Sequence, residues 1–336
     1  MLGSVILIYL LVNRALSAPC YSGETTDHFD GRRFHNLEGP PRSGFVDFLR
    51  WKLSGKRGEW NDWTNAEPGA PPPVRVEAEK LRITFINHAT VLVQTGNLNI
   101  LTDPIWSERA SPFTWAGPKR HRSPGLRFDD LPPIDVVLLS HNHYDHLDIE
   151  TLIRLNSQHQ PRFVSGLGNR ALLQNRGIAN VVELDWWDQT ELSDEVSVSC
   201  VPAQHFSGRS LSDIDCTLWC GFVIQAPAGN IYFAGDTAVG SHFTEIKNRF
   251  GKFCLVLLPI GAYLPRWFMH PVHLSPAEAV RVHQLLQPNA SVAIHFGTFA
   301  LGDDGEVEPV RELREALDQP ISNFWVLEHG EGRDVE

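Results

Sequence analysis

The chain has 336 residues, 42 % of them hydrophobic and 21 % charged, with a formal net charge of −11. This is ordinary globular composition, sufficient for a sizeable core and inconsistent with extended disorder. The acidic balance and the lack of a basic, aromatic-rich strip disfavour nucleic acid as a partner, because phosphate neutralisation needs a basic footprint.

The apolar run "MLGSVILIYLLV" opens the chain. It has signal-peptide size and is too short to span a bilayer by itself. No Lys or Arg precedes it, and cleavage after Ala18 would place Leu16 at the −3 position. Residues 1–18 are therefore a candidate signal or anchor, and an exported or membrane-associated location stands against a cytoplasmic one. Residues 19–80 hold few strand-like runs and end in the proline cluster of "EPGAPPPVRVE", which reads as a strap or extension preceding a catalytic domain over 81–336. Within it, "RSGFVDFLRWKLSGKR" sets Phe45, Phe48, Leu49 and Trp51 among basic residues. This predicts a helix docked on its own domain, with a membrane-surface helix as the competing reading.

From Leu81 onward strand-like runs dominate, each ending in a polar signal: "LRITFINHA", "TVLVQTG", "LNILTDP" and "IDVVLLSH", then "VSVSCVPAQH", "CGFVIQAPAGNIYFAGD", "CLVLLPIG", "SVAIHFG" and "NFWVLEHG". Several are continuously apolar, as expected of strands covered on both faces. Helices are predicted at "DIETLIRL", with Asp148 as N-cap, at "SPAEAVRVHQLLQ", with a capping box in Ser275 and Glu278, and at "PVRELREAL". The five cysteines form no CxxC pair, so they are expected to be buried thiols rather than a disulfide framework or a cysteine zinc site.

Residues 141–148, "HNHYDHLD", place three histidines and two aspartates directly after "IDVVLLS". Burying such a cluster without a cation would leave several polar groups desolvated, at a cost of several kcal/mol. Further donors stand at other strand ends: His205 after "VSVSCVPAQ", Asp236 after "IYFAG" and His295 after "SVAI". Strand ends on one edge of a sheet converge, so these residues can meet around one point. His141, His143 and His205 would hold a first metal, and Asp145, His146 and His295 a second. Asp236, with two carboxylate oxygens, is the natural bridge. Two divalent ions about 3.5 to 4 Å apart can share a hydroxide available at neutral pH and stabilise a leaving oxygen. Asp103, in "LTDP", is a candidate carboxylate behind a ligand imidazole, holding it in one tautomer. His88 reads as structural. Arg209 would suit a phosphate oxygen through its planar fork. The apolar loop containing Tyr263, Trp267 and Phe268 would line an entrance for an acyl chain.

"SHNHYDHLD", "AQHF", "FAGDT" and "IHFGTF" resemble the ligand motifs of the metallo-β-lactamase superfamily. Further stretches, among them "LTDPIWSERASP", "GPKR", "ELDWW" and "PIGAYLPRWFM", resemble its N-acyl-phosphatidylethanolamine-hydrolysing phospholipase D branch. The resemblance runs from about residue 83 to 330 and implies an αβ/βα four-layer sandwich with two zinc ions at the sheet edges, other divalent metals being allowed. It also implies that Tyr144 and His273 contact the substrate; Val272 stands where lipase members carry a glutamine. The expected activity is hydrolysis of a phospholipid phosphodiester at a membrane surface, with Asp145, Asp236 and His273 in catalytic roles. A lactonase or small-ester phosphodiesterase on a soluble substrate is the alternative, and a scaffold with purely structural metals is a third. The assembly state, monomer or homodimer, is left open by the sequence.

Overall fold

The computed structural model describes residue 13, residues 16–317 and residues 323–336. The apolar run at 1–12 lies outside them. Among the described residues no helix is long and apolar enough to cross a membrane.

Two seven-stranded sheets form the centre of the molecule. The first contains β1 (Leu81–Asn87), β2 (Thr90–Thr95), β3 (Leu98–Thr102), β4 (Val136–Leu139), β5 (Arg162–Gly166), β6 (Val181–Leu184) and β14 (Gly332–Val335), in the order β14-β1-β2-β3-β4-β5-β6. The second contains β7 (Gln189–Glu191), β8 (Ser197–Val201), β9 (Gly221–Ala226), β10 (Gly229–Phe233), β11 (Phe253–Pro259), β12 (Ala290–Ile294) and β13 (Phe324–Trp325), in the order β13-β12-β11-β10-β9-β8-β7. Each sheet is antiparallel on one side and parallel on the other: β3 to β6 run parallel, as do β10 to β13. The parallel strands β4, β11 and β12 are buried along nearly their whole length, which is why their sequences are continuously apolar rather than alternating. One core, including Phe85, Val91, Trp219, Phe222 and Tyr232, fills the space between the sheets. A second, around Leu139, Leu152 and Phe163, lies under the helix Ile149–His159.

The capping box of the helix Pro276–Leu286 is formed as expected: Glu278 N–H donates to Ser275 Oγ, and the Glu278 carboxylate accepts from Ser275 N–H at 2.8 Å. Asp148 is the N-cap residue of Ile149–His159, but its carboxylate turns away to accept from Ser107 N–H and Oγ–H, at 3.0 and 2.8 Å.

The strap is tied down along its length. Asn36 bonds both the carbonyl and the N–H of His205, Arg42 pairs in bidentate fashion with Asp215, and Trp60 Nε1–H donates to the Asp304 carbonyl. The helix Phe45–Ser54 is docked on its own domain through Trp51, whose ring stacks on Phe268 at 5.0 Å and whose Nε1–H donates to Asp303. One expectation is corrected here: Cys20 and Cys216 form a disulfide with Cα atoms 4.5 Å apart, while Cys200, Cys220 and Cys254 are free. The partners are 196 residues apart, and only the return of the strap across the loop after His205 brings them together.

Candidate metal centre

The site lies where strand ends of both sheets meet. Asp103 follows β3, the cluster from His141 to His146 follows β4, His205 lies beyond β8, Asp236 follows β10 and His295 follows β12. His88 turns the chain between β1 and β2. Three of these residues have left-handed backbone: His88 at φ 49°, Asp103 at 32° and His295 at 61°. Non-glycine residues there carry strain that the surrounding packing must impose, a condition concentrated at functional sites. Gly235, before Asp236, has no such freedom to change, because at φ 59° a Cβ there would lie 2.7 Å from the Ser140 Cβ.

All seven residues named as metal ligands are brought together. His141, His143 and His205 form one group of donor atoms, and Asp145, His146 and His295 another that also includes His88; within each, the atoms lie within 4.8 Å of one another. Asp236 Oδ2 stands between them, 3.2 Å from His146 Nε2, 3.1 Å from His295 Nε2 and 3.8 Å from His205 Nε2. Ligand atoms about 2.1 Å from a tetrahedral ion are about 3.4 Å apart, so this spacing fits donors around a cation. Several of the atoms turned inward are buried without a hydrogen-bond partner: His146 Nε2, Asp236 Oδ1, both ring nitrogens of His295 and His273 Nδ1. Orphaned buried nitrogens and oxygens of this kind are costly unless something coordinates them, and the donor set fits a divalent metal.

The ring orientations are set from behind. Asp103, fully buried, accepts from His146 Nδ1 at 2.7 Å, from Ser140 Oγ–H at 2.5 Å and from Ser140 N–H at 2.8 Å. His205 Nδ1 donates to the Val272 carbonyl at 2.8 Å, leaving Nε2 for the site. Ser140 Oγ also meets His141 Nδ1 at 2.9 Å. Asp103 thus stands directly behind the His146 ring.

The electrostatics divide the site. Burial lowers the pKa of His141 and His205 well below the usual imidazole value and brings His143 and His273 to about 4, so these rings are neutral, the form a metal needs. For His295 burial acts the same way, but Asp236 and Asp145 outweigh it and raise the ring to about 9. Burial also opposes ionisation of Asp145 and Asp236, yet the adjacent imidazoles hold both carboxylates well below the ordinary range.

His88 is not structural packing alone: its Nε2 meets Asp145 Oδ2 at 2.9 Å and its ring lies 4.0 Å from that of His295. The signal was present, since His88 directly follows a strand just as the other donors do. Two substrate assignments are corrected. Tyr144 turns away from the cleft, donating its hydroxyl to the Arg209 carbonyl and packing beside Ile105 and Phe299. The Arg209 guanidinium is half-buried over the Tyr144 ring at 3.9 Å, and its Nη1 donates to both the Asn142 and Leu147 carbonyls, so it braces the histidine loop from outside the cavity that lies over the site.

A cavity of about 470 Å³ opens above the site. His143, Asp145, Asp236, His273 and His295 line its floor; Phe48, Trp51, Phe206, Leu211, Phe268 and Met269 line its walls. Of the apolar loop, Phe268 faces the cavity, Tyr263 is buried behind it and Trp267 is 47 % exposed outside. Phe48, Trp51, Phe206 and Leu211, which complete the walls, carried no local signal for this role.

The model of a β-lactamase superfamily domain matches residues 98–296. The chain belongs to the metallo-β-lactamase superfamily. Within the superfamily it is a metal-dependent hydrolase on the branch of the N-acyl-phosphatidylethanolamine-hydrolysing phospholipases D. The N-acyl-phosphatidylethanolamine-hydrolyzing phospholipase D 1 of Caenorhabditis elegans is 39 % identical over 246 residues, covering 70 % of this chain and 69 % of that one. An uncharacterised protein of Mycobacterium tuberculosis is 40 % identical over 321 residues, covering 90 % and 83 %. Among solved structures, the isothiocyanate hydrolase from Delia radicum gut bacteria aligns with a TM-score of 0.61 at 24 % identity, covering 76 % of this chain and 99 % of that one. That likeness concerns the fold alone, the αβ/βα sandwich expected from the sequence.

Proposed function

We propose that this metal-dependent hydrolase cleaves the phosphodiester of an N-acylated ethanolamine phospholipid, giving N-acylethanolamine and phosphatidic acid. The observation that carries the reading is the combination, in one cavity, of a floor of clustered imidazoles and carboxylates with walls of aromatic and aliphatic side chains. A phosphodiester can lie on the floor while acyl chains follow the walls. A small soluble ester or lactone would leave most of that apolar lining unfilled, which sets the alternative second. The naming of the nematode relative as an N-acyl-phosphatidylethanolamine-hydrolysing enzyme agrees with this choice.

His141, His143 and His205 would hold one divalent ion and Asp145, His146 and His295 the other, zinc being the expected metal, with Asp236 facing both. When bound, such ions supply Lewis acidity to a phosphoryl oxygen and a water acidic enough to attack at neutral pH. The chain's own residues do the rest. Asp103, Ser140 and the Val272 carbonyl fix the ligand rings in one tautomer, so that no ring reorganisation is required when charge develops at phosphorus. His88 holds the Asp145 carboxylate from the opposite side. His273, 3.9 Å from Asp236 with a neutral ring and an unpartnered Nδ1, is placed to hydrogen-bond the substrate headgroup. Phe206, Phe268 and Met269 exclude bulk water from the floor.

The test is turnover of N-acyl-phosphatidylethanolamine in detergent micelles by metal-replete protein. Release of N-acylethanolamine that stops on chelation is expected. Metal-replete protein that releases none, while hydrolysing a soluble lactone or phosphodiester, would transfer the reading to the alternative.

A further inference from the structure

The cavity over the metal centre carries a single permanently charged cation. Among its described lining residues Arg42 is the only arginine or lysine, and it belongs to the strap rather than to either sheet. The guanidinium lies over the Phe206 ring at 4.5 Å. That ring in turn meets the His143 imidazole at 4.4 Å and the His205 imidazole at 4.9 Å, so Phe206 is in contact with both Arg42 and the first group of metal donors. A cation held on an aromatic face beside apolar walls acts more strongly on its neighbours than one in open water, because its surroundings screen it less.

Only part of the guanidinium is used by the protein. Nη1 and Nη2 each donate to one oxygen of Asp215 at 2.9 Å, an end-on pairing. Two of the five N–H donors of an arginine are thereby engaged. The side-on fork, Nε–H with the neighbouring Nη–H, has no acceptor among the described residues, and 33 % of the side chain is exposed, so a ligand can reach it. Asp215 is fixed in its turn: its N–H donates to the Ser207 carbonyl at 3.0 Å, its carbonyl accepts from Phe34 N–H at 2.8 Å, and Cys216 beside it is bonded to Cys20. The fork is therefore held in place before any ligand arrives, and its planar geometry suits the oxygens of an anionic phosphoryl group.

We infer that Arg42 is a substrate-binding residue, whose side-on fork takes an anionic phosphoryl oxygen of the diester, and that Asp215 is the positioning residue that holds the guanidinium over Phe206 for this task. The inference rests on the phosphodiester reading and adds the group that recognises the charge of the substrate. The floor cannot do this through its own side chains, because Asp145 and Asp236 bring negative charge to it. Arg42 supplies a fixed positive charge on the wall, and it gives the strap a part in substrate binding as well as in packing.

The test is calorimetric binding of phenylphosphonate, a non-hydrolysable anion with an apolar ring, to metal-replete full chain. R42Q should bind it about tenfold or more weakly than wild type. R42K should lose about threefold or more, because an ammonium has charge but no planar fork. D215N, which breaks the same ion pair but leaves the guanidinium in place, should lose markedly less than R42Q; a purely structural ion pair would make the two losses equal. With N-acyl-phosphatidylethanolamine in micelles, R42Q should raise KM more than it lowers kcat, the pattern of a lost binding contact. Wild-type affinity in R42Q or in R42K, or equal losses in R42Q and D215N, would overturn the inference; should R42Q not fold, R42K and D215N still decide it. Phosphonate binding that depends on Arg42 without release of N-acylethanolamine would remove the lipid and leave the role of Arg42 standing. Release of N-acylethanolamine with R42Q unaltered in phosphonate affinity and in KM would do the reverse.

Discussion

Asp103→Asn replaces a buried carboxylate by an amide of the same shape. The carboxylate accepts three hydrogen bonds, from Ser140 N–H, Ser140 Oγ–H and His146 Nδ1–H. The Ser140 backbone cannot give up its proton, so the amide oxygen turns to it and the amide nitrogen faces His146. The imidazole must then accept at Nδ1 and carry its proton on Nε2, the atom that lies 3.2 Å from both Asp145 and Asp236. Returning the proton to Nδ1 sets two donors against each other in a fully buried place, at a cost of about 1–3 kcal/mol. Metal affinity should fall about 10- to 100-fold, the usual effect of removing a carboxylate behind a ligand ring. Competition between stripped protein and a chromophoric chelator measures this directly, and the thermal midpoint of the metal-free form serves as a control for folding. Wild-type affinity for every equivalent of metal in D103N would refute the tautomer argument.

The Asp145 carboxylate should depend on His88 in the same manner: H88Q is expected to weaken the ion held by Asp145, His146 and His295 about tenfold while leaving the other nearly unchanged, read as separated steps in the chelator competition. Reduction of Cys20–Cys216, or C20S, should lower stability by about 2–4 kcal/mol in denaturant titrations, whereas C254S, which removes a free thiol, should not. His28 gives a pH-dependent anchor for the strap. Burial disfavours its charge, but hydrogen bonds to Asp185 and Asp27, at 2.7 and 2.6 Å, outweigh burial and raise its pKa above 6.5. The stabilisation is therefore complete below pH 6.5 and is lost as pH rises through the folded value. The difference in thermal midpoint between wild type and H28Q should be largest in mildly acidic buffer and shrink in alkaline buffer.

What could be read from the sequence follows the physics of strands covered on both faces. β1 to β4 and β8 to β13 were legible because each is an apolar-rich run closed by a polar signal, continuously apolar where the strand is covered on both faces, and most donor residues stand where those runs stop. β5 and β6 were not: "RFVSG" and "VVEL" are short and interrupted by Arg162, Ser165 and Glu183, and pairing with neighbouring strands, not local pattern, makes them strands. Side-chain direction was also hidden. Tyr144 lies within the histidine motif yet donates its hydroxyl away from the cavity, and Arg209 reaches carbonyls that only the folded loop presents. The pairing of Cys20 with Cys216 and the cavity walls supplied by Phe48 and Trp51 depend on where the strap lands, which no spacing within the strap encodes.

The most direct test of the account is to hydrolyse N-acyl-phosphatidylethanolamine with metal-replete protein in ¹⁸O-labelled water and locate the label by mass spectrometry. Attack at phosphorus within the metal centre predicts one ¹⁸O in phosphatidic acid and none in the released N-acylethanolamine. Label in the N-acylethanolamine, label in a freed fatty acid, or no product at all would contradict it.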